Sequence, residues 1–293
     1  MELRTLQYFL TVAQELNITH AARKLNISQP PLSRQLAQLE AELGVSLFIR
    51  GKRKIQLTEE GKYLAQQAEY ILNMANHTTQ QLTQMREQIV KGFLSIDVTE
   101  TCSASILPDI IPAFQKQYPL ISYDIWCGNS NDICQRLEQG IAEIGFIREP
   151  FNSSNFEAVS LKKETWIAVV SKDHPLAAQT EIQLDELCEE PLFIPSRQPL
   201  QSEIHNWFLE ISKPCHVLCL YNQIASIIPL IISNMGIAIS PISVKRYTDN
   251  SKLAYLNIIS PEHISYLSMI RKRHHVLPAN AEVFWNFIIG QNL

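Results

Sequence analysis

The sequence predicts an α/β protein made of three successive parts: a small helical domain that ends in a β-hairpin, a long helix, and a two-lobed α/β domain. Three observations support this prediction. Short helix-like repeats come first and lead into an alternating hairpin. A stretch without proline and with one glycine follows, and strand-like and helix-like segments then alternate to the C-terminus. We expect these parts to cover residues 1–58, 59–90 and 91–293.

Composition and charge limit the class of protein. The 293 residues are 46% hydrophobic and 18% charged, which is typical of globular proteins. No apolar run is long enough to span a bilayer, and the N-terminus is charged and amphipathic, so we expect a cytoplasmic protein without a membrane partner. Residues 1–91 carry 11 Lys and Arg against 8 Asp and Glu, whereas residues 92–293 carry 14 against 21. A polyanion would therefore meet the N-terminal part.

The cysteines indicate neither a metal site nor a cofactor. No pair has CxxC spacing, and no His and Cys cluster has zinc-finger spacing. We expect reduced thiols at all six positions: Cys102, Cys127, Cys134, Cys188, Cys215 and Cys219.

The first two helices are short. An apolar stripe at helical spacing predicts a first helix that ends near Leu16. Thr19 is placed to cap a second helix, whose alanines, Ala21 and Ala22, would allow close packing.

The third helix explains the unusual pair of prolines in the N-terminal part. Ser28 can cap this helix, and Pro30 and Pro31 fill its first turn, where backbone N–H groups have no intrahelical partner. Gly44 follows the last turn, where a left-handed cap is favoured.

Two short helices joined by a tight turn, with a polar start to the second, predict a helix-turn-helix. Ser28, Gln29, Ser33 and Arg34 would face the major groove of DNA, where Gln suits adenine and Arg suits guanine. The alternative is a small helical domain that binds protein.

The stretch "SLFIRGKRKIQLT" alternates as two strands, Leu47–Arg50 and Ile55–Thr58, around a basic tip. We expect this hairpin to lie against DNA phosphates through Arg50, Arg53 and Lys54. The alternative is an ordinary solvated turn.

These residues resemble the winged helix-turn-helix of LysR-type transcriptional regulators. The resemblance lies in the AA of helix two, in SQPPLSRQ and LEAELGVSLF of helix three, and in LTEEG after the wing. It implies sequence-specific binding to approximately palindromic double-stranded DNA as a homodimer, usually a dimer of dimers (a homotetramer), with RNA polymerase as a further candidate partner. The predicted DNA-binding residues are Thr19, Ser28, Gln29, Pro30, Pro31, Ser33, Arg34, Arg50, Arg53 and Lys54.

Thr58 is placed to cap the long helix, which should run to about Ile89. Its apolar stripe is too long for a small domain to cover, and we expect it to pair with a second chain. The alternative is a helix that packs on its own chain. The stripe comprises Leu64, Ala68, Ile71, Leu72, Ala75, Thr79, Leu82, Met85 and Ile89.

The remaining strands and helices predict an α/β domain with a mainly parallel sheet. The family resemblance, looser here, implies a two-lobed domain like periplasmic binding proteins. Lobe I would comprise residues about 92–162 plus 268–293, and lobe II residues about 163–267. Ligands bind outside the carboxyl ends of such strands.

Polar loops after these strands give the candidate effector site. Arg148 ends the strand in "GFIR" and is a natural carboxylate partner. The pattern "CGxxxxI…LxxG…GFxR" looks like the muconate- and benzoate-responsive members of the family, so we predict a small organic acid, aromatic or cyclic. Each residue could instead cap an ordinary loop, and Glu100 would oppose an anion unless Arg148 neutralises it. The predicted effector-binding residues are Thr99, Glu100, Thr101, Asn129, Arg148, Pro199, Gln201, Ser202 and Gln223.

Two other classes of function are weighed against this ligand-responsive regulator. An enzyme is not expected, because GxSxG, HExxH, GxGxxG and P-loop motifs are absent. The second class is the same regulator triggered by cysteine oxidation. Cys102 lies at a predicted helix start, which would lower the pKa of its thiol, but the sequence shows no resolving partner.

Overall fold

The computed structural model describes residues 1–50, 55–87, 90–249, 251–259 and 263–291. The chain divides into two compact units. The N-terminal unit comprises Met1–Gln88 with Gln139–Ile141, and the C-terminal unit comprises Ile89–Glu138 with Ala142–Leu293. No helix among the described residues is long and apolar enough to cross a membrane.

The N-terminal unit contains three short helices, a hairpin and a long helix. Its core is formed by Leu6, Phe9, Ala21, Leu32 and Leu39, all buried. The elements are α1 (Leu3–Glu15), α2 (Ile18–Lys24), α3 (Gln29–Leu43), β1 (Phe48–Arg50), β2 (Ile55–Leu57) and α4 (Glu59–Glu87).

The caps of α2 and α3 differ in part from the expected ones. The side chain of Asn17, not of Thr19, caps α2 by accepting the backbone N–H groups of Thr19 (2.9 Å) and His20 (3.1 Å). Asn17 has the extended backbone of a capping residue, so α2 begins at Ile18, earlier than a Thr19 cap predicts, and Thr19 lies inside the helix. Ser28 occupies the cap position of α3 without a side-chain bond, and Gly44 ends α3 at φ 69°.

The hairpin joins α4 through a tight contact at Gly61. The Thr58 hydroxyl donates to the carbonyl oxygen of Ser46 (2.7 Å) and accepts the N–H of Gly61 (2.9 Å), which caps α4. A β-carbon on Gly61 would lie 2.1 Å from the carbonyl oxygen of Leu47. The LTEEG motif therefore requires its glycine for a close approach of two backbones.

The apolar stripe of α4 is covered by its own unit over only part of its length. Leu64, Ala68 and Leu72 pack against the core of the N-terminal unit. Ile71 and Met74 remain 37% and 44% exposed. The side chains predicted to continue the stripe at Leu82 and Met85 are not described.

The C-terminal unit has two lobes, each with its own buried clusters. Lobe I contains β3 (Gly92–Val98), α5 (Glu100–Ser105), α6 (Leu107–Gln117), β4 (Ile121–Cys127), α7 (Ser130–Glu138), β5 (Ile144–Arg148), β12 (Ile264–Lys272) and α10 (Ala279–Gly290). Lobe II contains β7 (Glu181–Gln183), β8 (Pro191–Pro195), α8 (Gln198–Glu210), β9 (His216–Tyr221), α9 (Ile228–Ile232), β10 (Ile237–Pro241) and β11 (Leu253–Ile259).

One strand, β6 (Phe156–Ser171), belongs to both lobes. It pairs with β12 as far as Thr165 and with β10 from Trp166 onward. β11 pairs with the same second half of β6 on the side opposite β10. The strand order is β4-β3-β5-β12-β6-β10-β8-β9, with β7 beside β11. The sheet is mixed rather than mainly parallel, because every ladder of β6 is antiparallel.

The helix expected over "SILPDIIPAFQKQYP" is α6, with Pro108 in its first turn, and the short helix α5 precedes it. Two other stretches that the sequence predicts as helices, "IASIIPLIIS" and "QLDELCE", take another form in part. Pro229 likewise begins α9 after a short 3-10 helix, Ile224–Ser226. "QLDELCE" contains a 3-10 helix, Leu184–Glu189. Proline favours a new helix start and interrupts a continuous one.

Candidate functional sites

One face of α3 is exposed and carries the predicted DNA-reading residues. Leu32, Leu36 and Leu39 bury the opposite face in the core. Gln29 donates from its amide to the Ser33 hydroxyl (3.3 Å). Of the remaining predicted residues in this region, Thr19, Ser28, Pro30 and Arg34 are exposed, and Pro31 is half-buried.

The wing is attached to α3 by a carboxylate. The Glu40 side chain accepts the N–H groups of Leu47 (2.7 Å) and Phe48 (3.2 Å), where β1 begins. The Phe48 ring lies 5.4 Å from the ring of Phe9 in α1. The antiparallel ladder of β1 with β2 forms the predicted hairpin. Arg53 and Lys54 lie outside the described residues, and the side chain of Arg50 is likewise not described.

A cavity of about 320 Å³ lies between the two lobes of the C-terminal unit. Lobe I contributes residues from the ends of β3, β4 and β5, and lobe II contributes the ends of β8, β9 and β10. Its lining is Thr99, Glu100, Thr101, Gly128, Asn129, Ser130, Asn131, Arg148, Trp166, Pro195, Ser196, Arg197, Gln198, Leu200, Tyr221, Asn222, Gln223, Ile224, Ser240, Pro241 and Tyr247.

Six of the nine predicted effector-binding residues line this cavity: Thr99, Glu100, Thr101, Asn129, Arg148 and Gln223. The other three lie in the first turns of α8 without lining the cavity, although Gln198 and Leu200 of the same turns do. Pro199 is exposed, whereas Gln201 and Ser202 line a separate, more open depression beside β9. The Gln201 amide donates back to the carbonyl oxygen of Ser196.

The sequence predicts that Arg148 pairs with a carboxylate of the ligand, but its guanidinium already has partners within the protein. Its guanidinium is buried, forms an ion pair with Glu164 and donates to the Ser265 hydroxyl (2.6 Å). The Ser243 hydroxyl donates to the same Glu164 oxygen (3.2 Å). The positive charge of Arg148 is therefore offset inside the protein.

Glu100 bridges the cavity from lobe I to lobe II. Its carboxylate accepts the backbone N–H groups of Ile224 (2.9 Å) and Ala225 (3.3 Å). Burial raises the pKa of Glu100, and these two N–H groups oppose that rise. Backbone N–H groups therefore hold the Glu100 carboxylate. Arg148 does not neutralise it, which was the condition that the sequence analysis set for an anion beside Glu100.

Arg197 is a cavity residue that the sequence analysis missed. It immediately precedes α8, and its guanidinium donates to the carbonyl oxygens of Pro150 (2.7 Å), Arg148 (3.2 Å) and Glu149 (3.4 Å) in lobe I. Burial and the nearby charge of Arg148 lower the pKa of Arg197 to about 10. Its position just before a helix was the only local signal, because its partners lie almost 50 residues earlier.

Two buried hydrogen-bond donors belong to residues of the cavity wall. The Trp166 indole N–H and the Tyr247 hydroxyl have no partner among the described residues. The Tyr221 hydroxyl, in contrast, donates to the carbonyl oxygen of Ile239 (2.8 Å). Buried donors are normally satisfied, so these two are exceptions.

Cys102 does not have the environment of a redox trigger. It is 0% exposed and packs in the core of lobe I. Burial raises the pKa of its thiol to about 12, and this outweighs the hydrogen bond from Thr99. The expected lowering by a helix start is therefore wrong. All six cysteines are free thiols, and the described part of the chain holds no group of three His, Cys, Asp or Glu side chains able to bind a metal.

Two stretches of the chain match established protein families. Residues 3–62 match the family described as "Bacterial regulatory helix-turn-helix protein, lysR family". Residues 88–292 match "LysR substrate binding domain".

Individual proteins are similar along most of the chain. The Hca operon transcriptional activator HcaR of Escherichia coli (strain K12) is 30% identical over 250 residues, which cover 82% of each chain. The crystal structure of CbnR, a LysR family transcriptional regulator, has a TM-score of 0.84 at 23% identity and covers 100% of both chains. Full-length CbnR in complex with its target DNA has a TM-score of 0.83 at 24% identity over 99% of both.

These similarities confirm the predicted α/β fold, with a helix-turn-helix domain before a two-lobed domain of the periplasmic-binding-protein type. The similar proteins are regulators, so the prediction that the chain is not an enzyme is also confirmed. The chain belongs to the LysR family of DNA-binding transcriptional regulators and carries an effector-binding domain.

Proposed function

We propose that this regulator responds to a small organic acid that binds in the cavity between the lobes. The observation that carries the proposal is the cavity of about 320 Å³ itself, which both lobes line with hydrogen-bond donors and where the Arg197 guanidinium has no ion-pair partner among the described residues. A carboxylate offers only acceptors and would suit such donors. The aromatic face of Trp166 and the side chain of Leu200 provide apolar surface in the same wall, which fits a ring or chain attached to the acid.

The three parts of the chain receive separate roles in this proposal. Residues 1–58 bind DNA through α3 and the wing, residues 59–90 pair two chains, and residues 91–293 bind the effector. Occupation of the cavity would shift the equilibrium between arrangements of the lobes and so change how the paired domains bind a promoter. The resemblance to muconate- and benzoate-responsive members of the family favours aromatic or cyclic acids as the first compounds to test.

The DNA-binding role is tested by selection from random duplexes with the full-length protein. The selected duplexes should contain two inverted half-sites, because two-fold related reading helices meet DNA in opposite directions. Arg34→Ala should weaken binding to the selected duplex by about 1–3 kcal/mol and relax the preference at one base pair of each half-site. Lys116→Ala, a matched loss of one exposed charge in α6, should change neither the affinity for the selected duplex nor the base preference. Unaltered selection by Arg34→Ala would remove α3 from the reading role.

The effector role is tested by thermal unfolding of the full-length protein with a panel of small organic acids. A ligand that binds only the folded state raises the melting temperature, with about 2.7 kcal/mol of stabilisation at 100 times its dissociation constant. Thr101→Val, which removes a cavity hydroxyl, should reduce the shift, whereas Ser202→Ala, outside the cavity, should not. A panel in which only uncharged compounds raise the melting temperature would refute an acid effector.

A further inference from the structure

Two charged side chains join the lobes across the cavity, in opposite directions. Arg197 of lobe II holds backbone carbonyl groups of lobe I at residues 148–150. Glu100 of lobe I holds backbone N–H groups of lobe II at Ile224 and Ala225. Both residues line the cavity, so a ligand there meets a cation from one lobe and an anion from the other.

The cations of the cavity wall are not equivalent. Arg148 is already paired with Glu164, and its second hydrogen bond goes to Ser265. Arg197 makes hydrogen bonds only to carbonyl oxygens among the described residues, and these offset its charge only in part. Burial and the charge of Arg148 lower the pKa of Arg197, and the charge of Glu203 opposes this lowering, although no ion pair joins these two described residues. An anionic group of a ligand therefore gains most by pairing with Arg197.

The part of the cavity wall formed by Glu100 is unsuited to a second anion. The two backbone N–H groups that could hold an anion there are occupied by the Glu100 carboxylate. A ligand carboxylate there would lie beside a like charge with low solvent screening, which is costly. A neutral group, above all a hydroxyl that donates to Glu100, meets no such cost.

We infer that the cavity selects a monocarboxylate, whose carboxylate pairs with Arg197 and whose opposite, uncharged end lies against Glu100. This inference rests on the proposed function and narrows it. Among the acids that the sequence analysis considered, it favours benzoate-like compounds over the dicarboxylate muconate. Arg197 determines the preference for acid over neutral compounds, and Glu100 determines the rejection of diacids.

The test compares matched compounds on the full-length protein. Benzoate, 4-hydroxybenzoate, benzamide and terephthalate share one ring and differ in charge, and hexanoate, hexanamide and adipate repeat the comparison without a ring. Dissociation constants come from the shift in melting temperature with concentration. In each series the monoacid should bind at least about tenfold more tightly than its amide and its diacid, because a charge-assisted pair is gained without a like-charge contact.

Variants of the two residues separate their contributions. Arg197→Gln should abolish the advantage of acid over amide, and Arg197→Lys should keep part of it. Glu100→Gln should bring the diacid within a few-fold of the monoacid. Arg246→Gln and Asp109→Asn are matched controls, because their exposed pair (3.4 Å) also joins the lobes but lies outside the cavity lining. The melting temperature and circular dichroism of each variant without ligand show that it is folded.

The outcomes distinguish this inference from the proposed function. If diacids bind as tightly as monoacids, or if Arg197→Gln retains the preference for acid, the inference is wrong and an acid effector still stands. If only amides bind, or if no compound of either series binds, both are wrong.

Discussion

At the scale of single residues, Gly61 controls the junction between the wing and α4. Gly61→Ala should destabilise the N-terminal unit by about 1–3 kcal/mol, because its β-carbon would overlap the carbonyl oxygen of Leu47. Urea unfolding followed by circular dichroism measures this loss. Gly290→Ala is the matched control, since a β-carbon there meets no atom within 4 Å. Equal stability of the two variants would mean that the junction tolerates a side chain.

Cys102 should be among the least reactive thiols of the folded protein. Its thiol is buried and has a raised pKa, so little thiolate is available to attack a reagent, whereas Cys127 is exposed. Brief maleimide labelling of the native protein at pH 8, read by peptide mass spectrometry, should modify Cys127 and leave Cys102 unmodified until denaturant is added. Labelling of both at similar rates would restore oxidation as a candidate trigger.

The cavity shows which residue properties can be predicted from sequence. The polar loops after β3 and β4 were recognisable because each directly follows its strand in the sequence, and they supply Thr99, Thr101 and Asn129. The pairing of Arg148 with Glu164 and the carbonyl contacts of Arg197 depend on side chains that meet only after folding. Sequence position identified Arg148 but neither the neutralisation of its charge by Glu164 nor the role of Arg197.

At the scale of elements, α4 carries the surface that we propose joins two chains. Ile71→Glu should shift the protein from dimer toward monomer, because a charge would be placed in an apolar interface between helices. Analytical ultracentrifugation measures the change. Asn73→Glu adds the same charge at an exposed position of the same helix and should leave the association unchanged. A monomeric wild-type protein, or an unaffected Ile71→Glu variant, would contradict the role of this helix.

The short N-terminal elements were predicted more closely than β6. Proline at the start of α3 and glycine at its end are local signals, and the helix lies where they place it. The first half of β6, "FEAVSLKKE", shows no clean alternation, so the sequence predicts a strand only over the second half, "TWIAVVS". This segment becomes a strand because β12 pairs with it from about 100 residues later in the chain. Local sequence patterns do not show which distant strand will pair with a segment.

At the scale of the whole C-terminal unit, the lobes should unfold together. β6 shares ladders with β12 in lobe I and with β10 and β11 in lobe II, so the opening of one lobe removes hydrogen-bond partners from a strand of the other. Hydrogen exchange in increasing urea should give peptides from β3 and from β10 the same free energy of opening. If one lobe opened at markedly lower urea, the shared strand would not couple them.

The contact of Glu40 with the start of β1 has a consequence for how such a regulator can respond. Glu40 belongs to α3, and it holds the first residues of the wing. A displacement of α3 would therefore carry the wing with it, so in the DNA-binding mode that we propose the footprint of one subunit on DNA would keep a fixed geometry. An effector would then alter the distance and the rotation between successive footprints along the double helix. The base pairs recognised within each footprint would stay the same.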